Sequence, residues 1–311
     1  MLLEKLHKEF KLDCRIRNLS NRTIETYDRN INIFLNFLDT LDVKELEDVT
    51  KPVLNAFVIH CNEQGLQPSY INTILKSVKV MLRYATRESY IKEDIASKAP
   101  LLKTKQKVMY SFTDKEVAKM IEFYQGHGFR NHRNRLIIEM FADTGIRVSE
   151  LRGIRNGQIK DGYIIIFGKG NKERVVPLSP YIEKRIVKYK RIKYDYFRNL
   201  RVQRELQDFL FLTDSGKRMK SNAMIEIIVK NAAKYAEVNA KVERQSCHSL
   251  RHFYAQKMLR NGVNIYSISK FLGHSSLKTT QIYLNSIADE ELMMEAVQST
   301  PIMQLIRDEL M

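Results

Sequence analysis

The 311-residue sequence lacks any run of about 18 consecutive apolar residues, the length that a membrane span requires, so no membrane partner is expected. It has only three cysteines, Cys14, Cys61 and Cys247. An odd number in a long chain argues against a disulfide framework and favours a reducing cytoplasm. We expect this cytoplasm to be that of a prokaryote. The first residues, MLLEKLHKEFKLDC, are charged throughout, so we expect no secretory signal.

Charge is distributed unevenly along the chain, whose net charge is +16. Residues 1–100 carry 15 Lys and Arg against 14 Asp and Glu, whereas residues 101–285 carry 36 against 16. The last segment, 286–311, carries 1 against 6. An excess this large in one segment favours a nucleic-acid partner, although a dispersed solubilising surface is the alternative.

Length and a hydrophobic content of 44% suit two domains, each with its own core. Residues 1–95 place apolar side chains every three or four positions, most clearly within 24–38, 51–63 and 69–86. This period predicts a bundle of amphipathic helices. Ser20 is the expected N-cap of the helix that follows it.

The rest of the chain divides into three predicted segments. Residues 96–111 have no clear period and are predicted to be a basic linker. Residues 112–285 open with the capping box TDKE at 113–116 and alternate helices with one β-hairpin, YIIIFGKGNKERVVPL, at 163–178. The prediction is therefore a mainly α fold with a small β-sheet. The acidic, amphipathic tail 286–311 is expected to dock on the second domain or on a neighbouring subunit.

The stretch CHSLRHFYAQKMLRNG places His248, Arg251 and His252 on one face of a predicted helix. A zinc site would need the glutamate of HExxH, where this chain has Ser249, and the arginine would repel a dication. No metal is therefore expected. A solvated helix end is the ordinary alternative. An oxyanion site is the more specific interpretation, because a guanidinium matches two phosphate oxygens at once.

A second stretch, FLGHSSLKTTQIYL, places His274 in a loop that enters a helix and Tyr283 nine residues later. The whole string 248–284 resembles the carboxy-terminal signature of the tyrosine recombinases, the phage-integrase family. Two upstream segments resemble other parts of that family, namely TGIRVSEL at 144–151 and GKGNKERVVPL at 168–178. The amino-terminal SNRTIETYDRNINIFLNFL resembles the family's helical, SAM-like core-binding domain.

The resemblance implies a role for particular residues of this sequence. The catalytic residues that it implies are Arg147, Lys169, His248, Arg251, His274 and Tyr283. Glu150 falls at the family's acidic position and is expected to support Arg147 from behind, and His252 is expected to pack behind Arg251. Lys172 and Arg174, in the hairpin, are expected to contact the DNA backbone or to be solvated.

The implied chemistry cuts and rejoins DNA without a metal, another cofactor or ATP. Tyr283 would attack a phosphodiester and form a covalent 3′-phosphotyrosine, while the two arginines bind the developing negative charge and His274 donates a further hydrogen bond. His248 would accept the proton of the tyrosine, and Lys169 would protonate the leaving 5′ oxygen.

The resemblance implies a site-specific recombinase of compact, Xer-like or mobile-element type. Its expected partners are double-stranded DNA with specific recombination sites and three further copies of the chain. The expected assembly is a homotetramer on DNA, exchanging strands through a Holliday junction, and a monomer or weak dimer when free. Integration, excision and dimer resolution all remain open. Two alternatives are a type IB topoisomerase-like relaxing enzyme and a catalytically inert DNA-binding regulator.

Overall fold

The protein is described here by a computed structural model. The structure describes residues 1–99, 101–104, 110–168, 173–198, 204–240, 242, 245–274 and 276–281, apart from the side chains of 204 and 205. The chain divides into two compact units, Met1–Gln106 and Lys107–Met311, and each has its own hydrophobic core. No helix within the described ranges is both long and apolar enough to cross a membrane.

The first unit is a helical bundle, as the apolar periodicity predicted. Its helices are α1 (Leu3–Ile16), α2 (Asn21–Thr40), α3 (Lys51–Glu63), α4 (Pro68–Arg87) and the short α5 (Ile95–Lys98). The predicted N-cap is confirmed, because the side chain of Ser20 accepts a hydrogen bond from the backbone N–H of Thr23. Helices α2 and α4 form the main packing interface of this unit.

The core of the first unit is almost entirely apolar. Phe34 and Phe57 meet edge to face with their ring centroids 5.1 Å apart, which is a favourable aromatic geometry. The buried amide of Asn30 donates to the hydroxyl of Ser77 at 2.9 Å. The burial of large side chains therefore supplies most of the stability of this unit.

The beginning of the predicted linker packs on the first unit. Ile95, Ala96 and Ala99 are buried in its core, and the side chain of Asn72 exchanges two hydrogen bonds of 2.9 Å with the backbone of Leu102. The structure thus extends the first unit beyond residue 95. Residues 105–109 of the predicted linker lie outside the described residues.

The second unit combines helices with one small sheet, which confirms the predicted fold class. Its helices are α6 (Asp114–Glu122), α7 (Phe129–Thr144), α8 (Val148–Gly153), α9 (Pro180–Phe197), α10 (Arg204–Gln207), α11 (Ala223–Tyr235), α12 (Cys247–Arg260), α13 (Ile265–Leu272) and α14 (Lys278–Gln281). Its strands are β1 (Ile159–Lys160), β2 (Tyr163–Phe167) and β3 (Glu173–Pro177). The capping box predicted at Thr113 and Glu116 is present at the start of α6.

Helix α7 lies at the centre of the second unit. It packs against α6, α9, α11 and α12, and buried side chains surround it on most sides. Within α7 itself, the consecutive residues 136–141 are all buried, so the helix has no exposed polar face along this stretch. The position of α7 therefore determines where the segments before Phe129 and after Thr144 begin.

The three strands form an antiparallel sheet in the order β1, β2, β3. Ile166 on β2 pairs with Arg174 on β3, and Ile164 pairs with Val176. Because successive side chains of a strand alternate between faces, Arg174 shares the inward face of β3 with Val176. The predicted hairpin is confirmed in its strands, whereas residues 169–172 of its turn lie outside the described residues.

Candidate active site

A left-handed glycine turn ends helix α7 and leads the chain to Arg147. Gly145 adopts φ of +58°, and its N–H bonds to the carbonyl of Phe141 at 3.1 Å. A Cβ at this position would lie 2.4 Å from a ring carbon of Tyr254 and 2.8 Å from a methyl of Leu272. Both the backbone conformation and the close packing therefore require glycine. The turn brings the start of α8 against α12 and α13.

The C-terminus of helix α13 gathers three arginines from three different elements. The last carbonyls of a helix have no partner within it, and here each of three consecutive carbonyls accepts from a guanidinium. The pairs are Arg174 Nε to Phe271 O at 2.8 Å, Arg251 Nη2 to Leu272 O at 2.7 Å and Arg147 Nη2 to Gly273 O at 2.8 Å. We call these side chains the arginine triplet. The negative end of the helix dipole also favours positive charge at this point.

Arg251 is the most deeply buried member of the triplet, at 3% exposure. Its second anchor is the carbonyl of Gly145, which accepts from Nη1 at 2.7 Å. The two carbonyls that hold it are neutral, so they orient the guanidinium without cancelling its charge. Arg147, by contrast, keeps 38% of its side chain exposed, so it can reach a ligand from solvent.

Glu150 is the acidic partner of this cluster, and only 7% of its side chain is exposed. Arg174 binds both carboxylate oxygens at 2.7 Å, and Arg147 contributes its Nη1 at 3.0 Å and its backbone N–H at 2.9 Å. Burial acts to raise the pKa of Glu150, but the hydrogen bonds and charge of Arg174, followed by those of Arg147, lower the pKa overall. Glu150 is therefore ionised, and its four acceptor positions are occupied.

His274 begins the loop after α13 and touches the triplet directly. Its Nε2 lies 2.9 Å from Nη2 of Arg251, and its Nδ1 lies 2.8 Å from the hydroxyl of Thr280. Burial, followed by the charges of Arg251 and Arg147, lowers its pKa to about 4. Because an arginine only donates, the neutral ring accepts at Nε2 and carries its proton on Nδ1. In this state His274 is thus an acceptor at the nitrogen that faces the arginines.

His248 and His252 form an edge-to-face pair on helix α12, with ring centroids 4.2 Å apart and planes at 70°. His248 is exposed, whereas His252 is buried at 6% exposure. Burial, followed by the charge of His248, lowers the pKa of His252 to about 3, so its ring stays neutral. Burial also raises the pKa of the neighbouring Cys247 thiol, which makes it a poor nucleophile.

The comparisons with known proteins cover nearly the whole chain. The phage integrase family matches residues 111–290, more than half of the sequence, and the phage integrase N-terminal SAM-like domain matches residues 9–89. The chain belongs to the phage integrase family. This family is that of the tyrosine recombinases, so the resemblance predicted from the sequence motifs is confirmed.

Several bacterial relatives of this tyrosine recombinase are similar over most of their length. The tyrosine recombinase XerC of Thermodesulfovibrio yellowstonii is 30% identical over 269 residues, which cover 85% of this chain and 85% of that protein. XerC of Pediococcus pentosaceus is 29% identical over 271 residues, covering 86% and 88%. XerD of Staphylococcus aureus is 26% identical over 269 residues, covering 86% and 88%.

Solved structures of tyrosine recombinases share the fold. The Tn1549 transposon integrase in complex with transposon right end DNA has a TM-score of 0.74 at 18% identity, covering 96% of this chain and 99% of that chain. A lambda integrase dimer bound to a COC′ core site has a TM-score of 0.72 at 18% identity, covering 92% and 96%.

The structure brings together those predicted catalytic residues of the recombinase that it describes. Arg147, Arg251 and His274 meet at the end of α13. His248 is close enough to His274 to contribute to the lowering of its pKa. Glu150 binds Arg147, and His252 is buried beside His248 on α12. The predicted Lys169, Lys172 and Tyr283 lie outside the described residues.

Arg174 has different surroundings from those that the sequence predicted. Its side chain is only 11% exposed, and its donors bind Glu150 and the carbonyl of Phe271. Arg174 is therefore not solvated, which was the alternative expectation, and three of its donors are engaged within the chain. Two other contributors were missed. Nδ1 of His274 lies 2.8 Å from the hydroxyl of Thr280, and the α13 carbonyls hold the arginines. No motif in the sequence indicated either contribution.

Proposed function

We propose that this site-specific recombinase cleaves DNA through the phenol of Tyr283. The phenolic oxygen attacks the scissile phosphorus, the bond from phosphorus to the 5′ oxygen breaks, and a 3′-phosphotyrosine forms. The observation that supports this is the anchoring of Arg147 and Arg251 on adjacent carbonyls of α13, with more positive charge than Glu150 cancels. Guanidiniums fixed in this way stabilise charge on the non-bridging oxygens without a rearrangement during the reaction.

Proton transfer would involve three further side chains. His248, which is exposed beside the buried His252, would accept the phenolic proton. Lys169 would protonate the leaving 5′ oxygen. His274 would donate to the phosphate only with a proton on Nε2, and a bound phosphate favours that form because a nearby negative charge raises the pKa of an imidazole. The arginines would supply the electrostatic role that a metal supplies in other phosphoryl-transfer enzymes, so no metal or other cofactor is needed.

Strand exchange would follow from the same intermediate. The phosphotyrosine linkage conserves the energy of the broken bond, so a 5′ hydroxyl of the partner duplex would reseal it without ATP. Four copies on two duplexes would pass through a Holliday junction. The acidic tail 286–311 would dock on a neighbouring copy, and the basic region 101–285 would hold double-stranded DNA in a prokaryotic cytoplasm.

The test begins by finding the DNA site. Full-length Tyr283→Phe protein, which should bind without cutting, would be used to select duplexes from a random library. The enriched sequence, synthesised as a nicked suicide duplex, would then be incubated with the wild-type protein in EDTA. We expect a protein–DNA adduct that survives denaturing electrophoresis, with the modified peptide containing Tyr283.

The matched control is Tyr194→Phe, which alters a tyrosine that is 73% exposed on α9. Tyr283→Phe should form no adduct and bind the duplex with near wild-type affinity, whereas Tyr194→Phe should form the adduct normally. An adduct that persists in Tyr283→Phe, or one that forms only with an added divalent metal, would refute the proposed chemistry.

A further inference from the structure

Arg174 occupies an unusual position for a charged residue of an edge hairpin. It lies on the inward face of β3, two residues before the buried Val176, and opposite the buried Ile166. A charge on a buried strand face is costly unless it is paired and hydrogen-bonded. The partners of Arg174 in this structure therefore explain why the charge is tolerated at this position.

Arg174 uses three of its N–H donors on two elements of the active site. Its Nη1 and Nη2 bind the two oxygens of Glu150 at 2.7 Å each, and its Nε binds the carbonyl of Phe271 at 2.8 Å. The fork of a guanidinium fits this arrangement, whereas a lysine ammonium does not. One side chain thus connects the hairpin to helix α8 and to the end of helix α13.

Gly273 leaves room for this connection. It adopts φ of +65°, and a Cβ there would lie 2.8 Å from Cδ of Arg174. The stem of Arg174 therefore passes directly beneath the residue that precedes His274. The same residue supplies the carbonyl that holds Nη2 of Arg147 at 2.8 Å.

The charge of Arg174 determines how strongly Glu150 attracts Arg147. With Arg174 in place, Glu150 is shared, and the guanidinium of Arg147 gives it only Nη1 at 3.0 Å while Nη2 is held by the carbonyl of Gly273. Without Arg174, a carboxylate at 7% exposure would keep Arg147 as its one ion-pair partner among the residues that the structure describes. The cost of a buried, poorly paired charge would then draw the Arg147 guanidinium onto both oxygens of Glu150 and away from the phosphate.

We propose that Arg174 is a positioning residue for DNA cleavage: it neutralises Glu150 and anchors the end of α13, so that Arg147 stays oriented towards the scissile phosphate. The inference rests on the proposed function, in which Arg147 binds that phosphate. It also couples the hairpin whose turn contains Lys169 to the arginines, because Arg174 lies on the strand that leaves this turn. Arg174 acts through Arg147 and does not itself contact the DNA.

The experiment measures two quantities for each variant on the selected nicked duplex. These are the single-turnover rate of adduct formation at saturating protein and the dependence of DNA affinity on salt. The variants are Arg174→Gln, Arg174→Lys, Glu150→Gln and the double variant Arg174→Gln with Glu150→Gln. Arg191→Gln, which alters an exposed arginine of α9, is the matched control for the loss of one positive charge.

We expect Arg174→Gln to slow adduct formation about 10- to 100-fold, the size of effect that a misplaced catalytic group produces. Its DNA affinity and salt dependence should match those of Arg191→Gln. The double variant should be at least about 5-fold faster than Arg174→Gln, because removing the carboxylate charge releases Arg147, and residues that share one network are not additive. Arg174→Lys should recover only part of the rate, since it lacks the fork.

Three results would overturn the proposal. One is a wild-type adduct rate in Arg174→Gln. Another is a double variant no faster than Arg174→Gln. The third is a combination in Arg174→Gln: the salt dependence of DNA affinity weakens by about one phosphate contact, while the rate of adduct formation in the bound complex is unchanged. Arg174 would then be a contact to the DNA backbone. If Arg174→Gln melts below the assay temperature, Arg174→Lys and its combination with Glu150→Gln provide the same comparison.

Failure of the proposed function would look different from these results. In that case the wild-type protein itself would form no adduct through Tyr283, whatever residue stands at position 174.

Discussion

The two ends of helix α7 both hold a buried arginine, but the arginines are used differently. At the N-terminal end, Arg133 is only 1% exposed and binds the carboxylate of Asp214 at 2.7 Å and the carbonyl of Leu212 at 3.0 Å. At the C-terminal end, Arg251 is held by two carbonyls, and Arg147 remains 38% exposed.

The difference lies in the acceptors. A carboxylate partner cancels the charge of an arginine, whereas a carbonyl orients the guanidinium and leaves its charge available. At the C-terminal end Arg174 and Arg147 share the carboxylate of Glu150, while Arg251 binds the carbonyls of Gly145 and Leu272. The contacts of the described residues therefore leave positive charge where a phosphate would bind. Among the described contacts, the buried Arg251 thus binds neutral carbonyls, whereas the buried Arg133 binds a carboxylate as well as a carbonyl.

The largest expected effect is on cleavage, from Arg147→Gln. This change removes a donor to the non-bridging oxygens, and loss of one such donor costs about 10²- to 10³-fold in rate. Because Arg147 is partly exposed, the melting temperature of the Arg147→Gln protein should lie no more than about 3 °C below that of the wild type. Adduct kinetics and calorimetry on the same preparation check this. A large loss of stability with an unchanged rate of adduct formation would instead make Arg147 a stabilising residue, as Arg133 is expected to be.

Arg133→Met should show the opposite pattern. Removing one partner of a buried ion pair costs about 3 kcal/mol, which corresponds to a fall of roughly 6 to 12 °C in the melting temperature of a unit of this size. The rate of adduct formation per folded molecule should stay near the wild-type value, because Arg133 lies at the far end of α7. A rate loss that exceeds the loss of folded protein would contradict this assignment.

The buried histidines predict a particular dependence of stability on pH. His252 and His274 have pKa values of about 3 and about 4 in the fold, against an ordinary value of 6.5. Between pH 4 and 6.5 the unfolded chain therefore binds more protons, so stability should decrease as the pH falls through this range. Thermal melts at several pH values check it. His252→Leu should flatten the slope, and an unchanged slope would show that His252 does not titrate in this way.

The smallest expected effect is from Arg130→Ala. Arg130 also binds Asp214, at 2.6 Å, but 72% of its side chain is exposed. An exposed ion pair contributes about 0 to 1 kcal/mol, so the melting temperature should fall by less than about 4 °C. Together with Arg133→Met, this variant separates the effect of burial from that of the shared carboxylate. Equal falls in the melting temperatures of Arg130→Ala and Arg133→Met would show that burial makes no difference to the strength of these two ion pairs.

Much of this arrangement could be predicted from the sequence. The bounds of α3 and α4 follow the apolar period closely, since the helices of a bundle must bury one stripe. Arg147, Arg251 and His274 were predicted from the resemblance of their segments to the tyrosine recombinases, and the fold brings them together. The roles of Lys169 and Tyr283 stay predictions.

The support of the arginines could not be predicted in the same way. Backbone carbonyls leave no trace in a sequence, so the end of α13 as the common anchor emerges only when the chain folds. Arg174 did carry a signal, because its alternation with Val176 places it on the buried face of the hairpin. The tautomer of His274 also depends on tertiary contacts, namely Thr280 and Arg251.

The central claim is that Arg147 and Arg251 bind the same phosphate. The most direct measurement is a crystal structure of Tyr283→Phe protein bound to its selected DNA site. We expect both guanidiniums within hydrogen-bond distance of the non-bridging oxygens of one phosphate, with position 283 facing its phosphorus. A complex in which the two arginines contact different phosphates, or in which either remains fully engaged within the protein, would contradict the account.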